Sequence, residues 1–271
     1  MTKTIKLLLV CMLCLYGATA RAEPQMDKKQ AGYQGMIGAA VRTRPVTPGS
    51  DRQLMEILPV FSHEYGYRSF RLFIGTPEGA GAELSDKRWG LFIKNAIDFG
   101  ESRSHSERNK GRYPAGIGRI NNPFLLYNDL GIDTGLHKVF VRSSYHPATV
   151  TWKGSQSADY HGLRAEAHIE SSLFLRGRFF VQNDLFVSLM DTNYANTYFA
   201  TKSDTDGTVD YKPSAELYRI SAEQQFLFFV LPSIAIGCSV NESLLLNSAA
   251  DSPVCKDPLQ LSASLMAVYK F

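Results

Sequence analysis

Charge is scarce in this chain. Asp, Glu, Lys and Arg make up 20% of its 271 residues, below the ~25% of an ordinary soluble domain. What charge there is nearly cancels, with 29 basic against 26 acidic side chains. Lys3, Lys6 and Arg21 belong to an N-terminal leader, and without them the two signs balance. A broad basic footprint for nucleic acid is thereby excluded, and so is a highly charged disordered chain. Long apolar runs are also missing beyond the leader. The richest stretch, Phe226 to Gly237, is cut by Pro232 and Ser233, whereas a membrane helix needs about 20 apolar residues. A helical membrane protein is excluded.

The leader itself has three parts. Lys3 and Lys6 precede an apolar run from Leu7 to Tyr16, and small residues follow, ending Ala20-Arg21-Ala22. This is the pattern of a secretory signal peptide over 1–22, with cleavage before Glu23. Cys11 does not make it a lipoprotein leader, because Val10 stands where a small residue is wanted. The mature chain is therefore exported, as a periplasmic tail over 23–33 followed by one domain over 34–271.

What is present is strict alternation. Leu163, Ala165, Ala167, Ile169, Ser171, Leu173 and Leu175 interleave with Arg164, Glu166, His168, Glu170, Ser172, Phe174 and Arg176. Successive strand residues point to opposite faces, so one face is apolar and the other ionisable. Leu259 to Phe271 and Ile234 to Asn241 repeat the pattern. A soluble sandwich or lipocalin-like barrel also alternates. These segments, however, run roughly 12–14 residues where ordinary strands run about 5–6, and a tilted membrane strand needs about 9–11. Connections are tight at Arg176-Gly177 and Leu231-Pro232 but long and polar over 99–133, 191–218 and 247–258. Short turns at one end and long loops at the other mark an outer-membrane barrel, closed so that no strand edge faces lipid.

Counting back from a periplasmic C-terminus places strands at 259–271, 233–246, 219–230, 178–190, 162–175, 148–154, 135–145, 88–98, 80–85, 68–75, 54–63 and 35–43. The fold expected is all-β: a closed antiparallel transmembrane barrel of about twelve strands in the outer membrane of a Gram-negative bacterium. Twelve satisfies the even count of bacterial barrels, although 80–85 is short for a span. Tyr269 and Phe271 form an aromatic C-terminal assembly signal for the barrel-assembly machinery.

Several side chains are candidates for function. Arg42, Arg71, Lys94, Arg142, Arg164, Glu166, His168, Glu170, Asp184 and Glu223 fall on the inward face, either as a charged constriction in a conducting lumen or as paired charges that plug it. Arg103, Arg108, Lys110, Arg112 and Arg119 make the loop over 102–120 basic, suited to lipopolysaccharide phosphates or to ordinary solvation. The region 191–218 is acidic, and its Asp204-x-Asp206-Gly207 lacks the spacing of a calcium loop. Asn121 to Tyr127 and Tyr194 to Phe199 are aromatic-rich, suited to binding sugars or a surface ligand, or more simply to an interfacial girdle. Asp159 and His161, with Ser155 or Ser157 near, share one face of a loop but lack a nucleophile elbow or metal spacing. No enzyme, metal or cofactor is expected. Cys238 and Cys255 meet an oxidising compartment, but a mid-strand lipid-facing position and an outer loop allow a bridge only if that loop folds back.

Taken in order, Pro45-Val46-Thr47-Pro48-Gly49-Ser50-Asp51, Leu58-Pro59, Asn196-Thr197-Tyr198-Phe199, Asn247-Ser248-Ala249-Ala250-Asp251-Ser252-Pro253 and Tyr269-Lys270-Phe271 resemble the MipA/OmpV family over essentially the whole mature chain. Tyr198 and Phe199, and Asp251, Ser252 and Pro253, are the most specific family elements. Ala200 stands where the family usually has Gly, and the two cysteines are outside its pattern. The resemblance implies a non-enzymatic barrel linked to murein remodelling, a scaffold between a lytic transglycosylase and a murein synthase. Porin-like and adhesive members are the alternatives it carries. A partner would have to dock on the tail, Glu23 to Tyr33, and on the rim of short turns.

Overall fold

The structure is a computed structural model that describes residues 32–271, apart from 77, 100–117, 122–123, 152–156, 176 and 203–208. The predicted leader and most of the predicted tail lie outside the described residues. The chain forms β1 (Gly32–Pro45), β2 (Gln53–Tyr67), β3 (Phe70–Gly75), β4 (Gly79–Ser85) and β5 (Leu91–Phe99). There follow β6 (Arg119–Asn121), β7 (Phe124–Asp133), β8 (His137–Thr151), β9 (Ser157–Leu175) and β10 (Phe179–Met190). Helix α1 (Thr192–Phe199) precedes a small hairpin, β11 (Thr201–Lys202) and β12 (Val209–Tyr211). The wall resumes with β13 (Glu216–Leu231) and β14 (Ile234–Leu245), then helix α2 (Asn247–Ala250) and β15 (Leu259–Lys270).

Every wall pairing is antiparallel between neighbours in sequence, and β1 pairs with β15 to close the ring. Because β6 and β7 both lie against β8, they form one interrupted ribbon, and the wall is a closed twelve-stranded barrel. Closure leaves no free sheet edge around the ring, the condition for spanning lipid with strands. The outer face carries a belt of exposed apolar side chains, among them Ile37, Val41, Ile57, Leu130, Val139, Ile169, Leu261 and Leu265. Aromatics gather at the end that holds both termini of the wall: Tyr33 packs on Tyr65 at 4.9 Å and on His63 at 5.6 Å, and Tyr67, Trp89 and Tyr269 are exposed nearby. That end carries the short connections, at 68–69, 86–90, 134–136, around Gly177 and at 232–233, and is the periplasmic one by the turn-length rule.

Closure depends on the last residue. Phe271 donates its N–H to the Gly35 carbonyl at 2.9 Å and accepts from the Gly35 N–H at 3.0 Å. Its ring lies over Gly35, where a Cβ would come 2.3 Å from ring atom Cε2. Deleting Phe271 removes two backbone hydrogen bonds, roughly 2 kcal/mol at about 1 kcal/mol each, and the ring as well. Gly35→Val keeps the bonds and displaces only the ring. On unheated gels the folded band is expected to shrink for both variants, and more for the deletion; equal wild-type yields would contradict this role of the seam.

The barrel departs from the expected strand list in two places that offset each other in the count. Segments 135–145 and 148–154 are one strand, β8, because Pro147 falls where the opposite ladder is interrupted between Leu126↔Tyr145 and Asn121↔Thr149. A missing N–H is tolerated at such a break. In turn, 119–121 and 124–133 of the predicted long loop are wall strands, while its residues 100–117 lie outside the described residues. The alternation of 124–133 is blurred by Asn128 on the outer face and Leu125 on the inner one. The wall also starts earlier than expected, since Gly32 and Tyr33 of the predicted tail pair with Gly66 and Tyr65.

Candidate functional site

The inner wall is zipped by charge pairs between adjacent strands. On β1 and β2, Arg42 Nε and Arg44 Nε both donate to Glu56 Oε1, at 2.9 and 2.8 Å. Arg71 on β3 meets Glu83 at 2.8 Å, Glu78 at 3.2 Å and Glu64 at 3.3 Å. Lys94 on β5 meets Glu78 at 2.9 Å and lies over the rings of Phe73 and Tyr127. Glu78 is at the tip of the short β3–β4 hairpin, and Tyr127 donates its hydroxyl to the Glu78 carbonyl at 2.6 Å. The tip is therefore tied inward, which is how strands of six and seven residues hold their place beside longer neighbours. Arg142 on β8 forks onto Asp129 on β7 at 2.7 and 2.9 Å.

Glu166 on β9 is the hub. It lies 3% exposed between Arg164 at 3.1 Å and Arg219 at 2.9 Å, and accepts from Ser188 Oγ at 2.9 Å. His168 stands two residues along, sandwiched between Phe140 at 4.4 Å and Phe186 at 4.7 Å, with Nδ1 2.9 Å from Asp184. One row further toward the periplasm, Glu170, Asp184 and Glu223 are cross-strand neighbours, and Asn241 Nδ2 donates to Glu223 at 3.3 Å. The structure places all ten predicted inward charges on the interior face. Sequence reasoning missed Glu56, Glu78, Asp129, Ser188 and Arg219, on which Arg42, Arg71, Lys94, Arg142 and Glu166 close. Arg219 was findable, since it shares the parity of Glu223; Asp129 went with the unrecognised strand, and Glu78 with a hairpin tip that has no period.

A helix lines the outer mouth from inside. After β10 the chain does not run outward as a loop; Asp191 caps α1, its side chain accepting from the Tyr194 N–H at 2.7 Å. The helix turns Tyr194, Ala195, Tyr198 and Phe199 onto Ala148 and Val150 of β8, Met190, Tyr218 of β13 and Leu245 of β14. Gly162 lets it come that close, because a Cβ there would lie 2.7 Å from Tyr194 Cα. The expected girdle role of Tyr194 to Phe199 is thus corrected: an exposed loop would leave Phe199 wet, whereas inside the mouth it is fully buried. Asn121 to Tyr127 divides: Tyr127 is buried on the inner wall, whereas Phe124 is exposed on the outer face.

The two most specific family segments meet at this mouth. Ser252 Oγ donates to the Phe199 carbonyl at 2.7 Å in a buried contact, while Asp251 and Pro253 stay exposed. Val254 is buried beside them, and the loop over 46–52 locks on from the other side, Gly49 O accepting from Lys256 N at 2.6 Å. Gln260 holds the same loop, its Oε1 accepting from Gly49 N at 3.0 Å. Tyr269 is on the outer face at the periplasmic end, and Phe271 on the closure seam.

The remaining candidates separate. Asp159 and His161 lie on β9 rather than in a loop, and they do not address each other: Asp159 accepts from Thr149 Oγ1 at 2.7 Å, and His161 Nδ1 contacts Tyr145 OH at 2.6 Å. They are rungs of a protruding hairpin. Ser155, Asp204, Asp206, Gly207 and the basic residues from Arg103 to Arg112 fall outside the described residues, while Arg119 is exposed on β6. Among the described residues no group of three or more His, Cys, Asp or Glu is placed to hold a metal, and none of the helices is long and apolar enough to cross a membrane.

Cys238 and Cys255 are both free. Cys238 is in the wall of β14, and Cys255 packs at the mouth against Gly49. Burial, with Asp257 and Asp251 nearby, pushes the Cys255 thiol up to about 11. Because the thiolate is the reacting form and the shift is upward, its alkylation by a maleimide in Cys238→Ser protein should be slow at pH 8. It should then rise about tenfold per pH unit until near that value. A rate that levels off near pH 9 would contradict this packing.

No curated protein matches the chain. Solved structures resemble it at low identity: the CymD monoaromatic hydrocarbon channel at 11% identity over 90% of each chain, TM-score 0.39. The P. putida toluene transporter TodX is 10% identical over 88% of this chain and 89% of its own, TM-score 0.40. The translocator domain of autotransporter NalP from Neisseria meningitidis is 9% identical over 90% of each chain, TM-score 0.40. Likenesses this distant carry no functional argument. The family model for MltA-interacting protein MipA matches residues 37–271, which takes in all of the closing seam but Gly35 and Met36, the charge-zipped interior and both segments that meet at the mouth, and the chain belongs to that family.

Proposed function

We propose that this barrel is a non-enzymatic scaffold or binding protein of the outer membrane, linked to the machinery that synthesises and remodels murein, and not an open pore. The observation that supports this reading most is the zipped interior with its lined mouth. Interior cations are matched to carboxylates, Arg219 reaching past β10 to Glu166 on β9, and α1 packs with the loop over 246–258 on the inner wall at the mouth. Such a wall serves better as a rigid platform than as a conduit. The periplasmic face offers short turns, so a soluble partner would use that rim together with the segment before Gly32. A stable interface needs about 800 Å² from each partner. The test is co-purification of the full chain with a lytic transglycosylase and a murein synthase from the same envelope. Capture that is lost on deleting 23–31 supports the scaffold. No capture of either enzyme by the intact chain contradicts it.

A porin-like channel is the second reading. What favours it is a set of buried polar atoms around Glu166 without hydrogen-bond partners among the described residues, namely Ser144 Oγ, Arg164 Nε, Arg219 Nε and Ser221 Oγ. The acidic row Glu170, Asp184 and Glu223 adds to it, since water in a lumen would serve both. Steady openings that change on neutralising Arg164 or Glu170 would establish that reading over the scaffold. An adhesin would use the region 191–218 outward, and the inward seating of α1 weighs against it.

A further inference from the structure

The lipid-facing belt is interrupted by polar side chains in more than one place: Ser171, Asn183 and Gln224 share one outward row and Glu242 lies beside Leu261, and a further row crosses β5, β7 and β8. On the outer face of β5 and β7, Asn95 and Asn128 are exposed cross-strand neighbours. The row continues through Ser143 on β8, which pairs with Asn128 and is also exposed. Ala82 on β4 and Ala165 on β9 complete it at either end. Neither amide has a hydrogen-bond partner among the described residues. The row lies inside the belt, not at its rim. Ile97, Leu126, Tyr145 and Leu163 form the next row toward the mouth, and Leu84, Ile93, Leu130 and Val141 the next toward the periplasm.

Two physical facts bear on such a row. Hydrocarbon satisfies neither the donors nor the acceptor of an amide, so unpartnered amides there are costly. Short side chains between two ridges of long ones let another wall approach closely, the arrangement that packs spans together in membranes. We propose that this face of β4, β5, β7, β8 and β9 is the interface with a second copy of the same chain. The occupant follows from complementarity. A carboxamide carries both donor and acceptor, so it is its own best partner, and a two-fold contact sets each amide against its equivalent. Membrane strands tilt by about 35–45°, so the rows of two copies related by an axis along the membrane normal cross steeply. Contact then centres on Asn128, the middle member of the row, with Asn95 and Ser143 beside it. A lipid tail would match the ridges but not the amides.

The test uses the full chain in phosphatidylcholine vesicles, with self-association followed by energy transfer between labelled copies as lipid is added. Wild type should associate. Asn95→Leu with Asn128→Leu should weaken association at least about tenfold while the folded band on unheated gels is kept, because leucine suits the lipid face. In a second arm, Ser143→Cys in a background of Cys238→Ser and Cys255→Ser should give a cross-linked dimer with a short bis-maleimide. This arm keeps both amides and stands whether or not the leucine variant assembles. Wild type that stays monomeric at every lipid ratio, a leucine variant that associates as wild type does, or no cross-link through Ser143→Cys would overturn the proposal.

Discussion

Gly162→Val is expected to drive α1 off the inner wall and leave the barrel standing. A Cβ at this position would lie 2.7 Å from the Tyr194 Cα and 2.9 Å from its N and Cβ. Those are atoms of the helix start, which no side-chain rotation can move aside. The wall around Gly162 is held by the long β8–β9 ladder, so the helix is the part that gives way. Leaving the mouth exposes Phe199, whose burial contributes about 1.5–3 kcal/mol, and breaks the Ser252 contact to the Phe199 carbonyl. Chymotrypsin added outside proteoliposomes should then cut after Tyr194, Tyr198 or Phe199 at least about tenfold faster than in wild type, since protection follows the local opening free energy. A variant as resistant as wild type would show that α1 does not depend on this close approach.

The second large effect is expected at Glu166. Glu166→Leu removes the only carboxylate within reach of both Arg164 and Arg219 among the described residues, along with the acceptor for Ser188 Oγ. Removing one partner of a buried charge pair costs about 3–5 kcal/mol, because the other charge stays buried and unmatched. The urea midpoint of refolded barrel should fall accordingly, with no change in the slope of the transition. Glu166→Gln keeps the hydrogen-bond acceptor and should lose less. Arg219→Met, by contrast, leaves Glu166 matched by Arg164 and should be milder than Glu166→Leu. A leucine variant as stable as wild type would mean that the interior charges are individually solvated and not zipped.

Much of this barrel is legible in the sequence, and for one reason. A wall with lipid on one side and polar side chains on the other must alternate with period two, so Leu163 to Leu175 and Leu259 to Phe271 announce both their strands and the direction of each side chain. The same parity puts Arg164, Glu166, His168 and Glu170 on the interior face. What failed to show was whatever breaks the period for a local reason. Pro147 reads as a turn, and only the interrupted ladder beside it explains why it sits inside a strand. Asn128 reads as a loop residue, although it is on the outer wall. The lining of the mouth was illegible for a different cause: α1 is eight residues long, too short for a convincing helical period, and its burial depends on a glycine thirty-odd positions away. Tyr198 and Phe199 stood out as part of an aromatic-rich stretch and Ser252 only through family resemblance, and the contact of Ser252 with Phe199 is a tertiary fact that no local pattern encodes.

The most direct test of the central claim is the conductance of the purified wild-type chain in a planar bilayer. A barrel whose interior charges are paired and whose mouth is narrowed by α1 should, on the proposed reading, insert and stay electrically silent, apart from rare transient events. Regular, long-lived openings of uniform size at moderate voltage would contradict the account and return the protein to the class of diffusion channels.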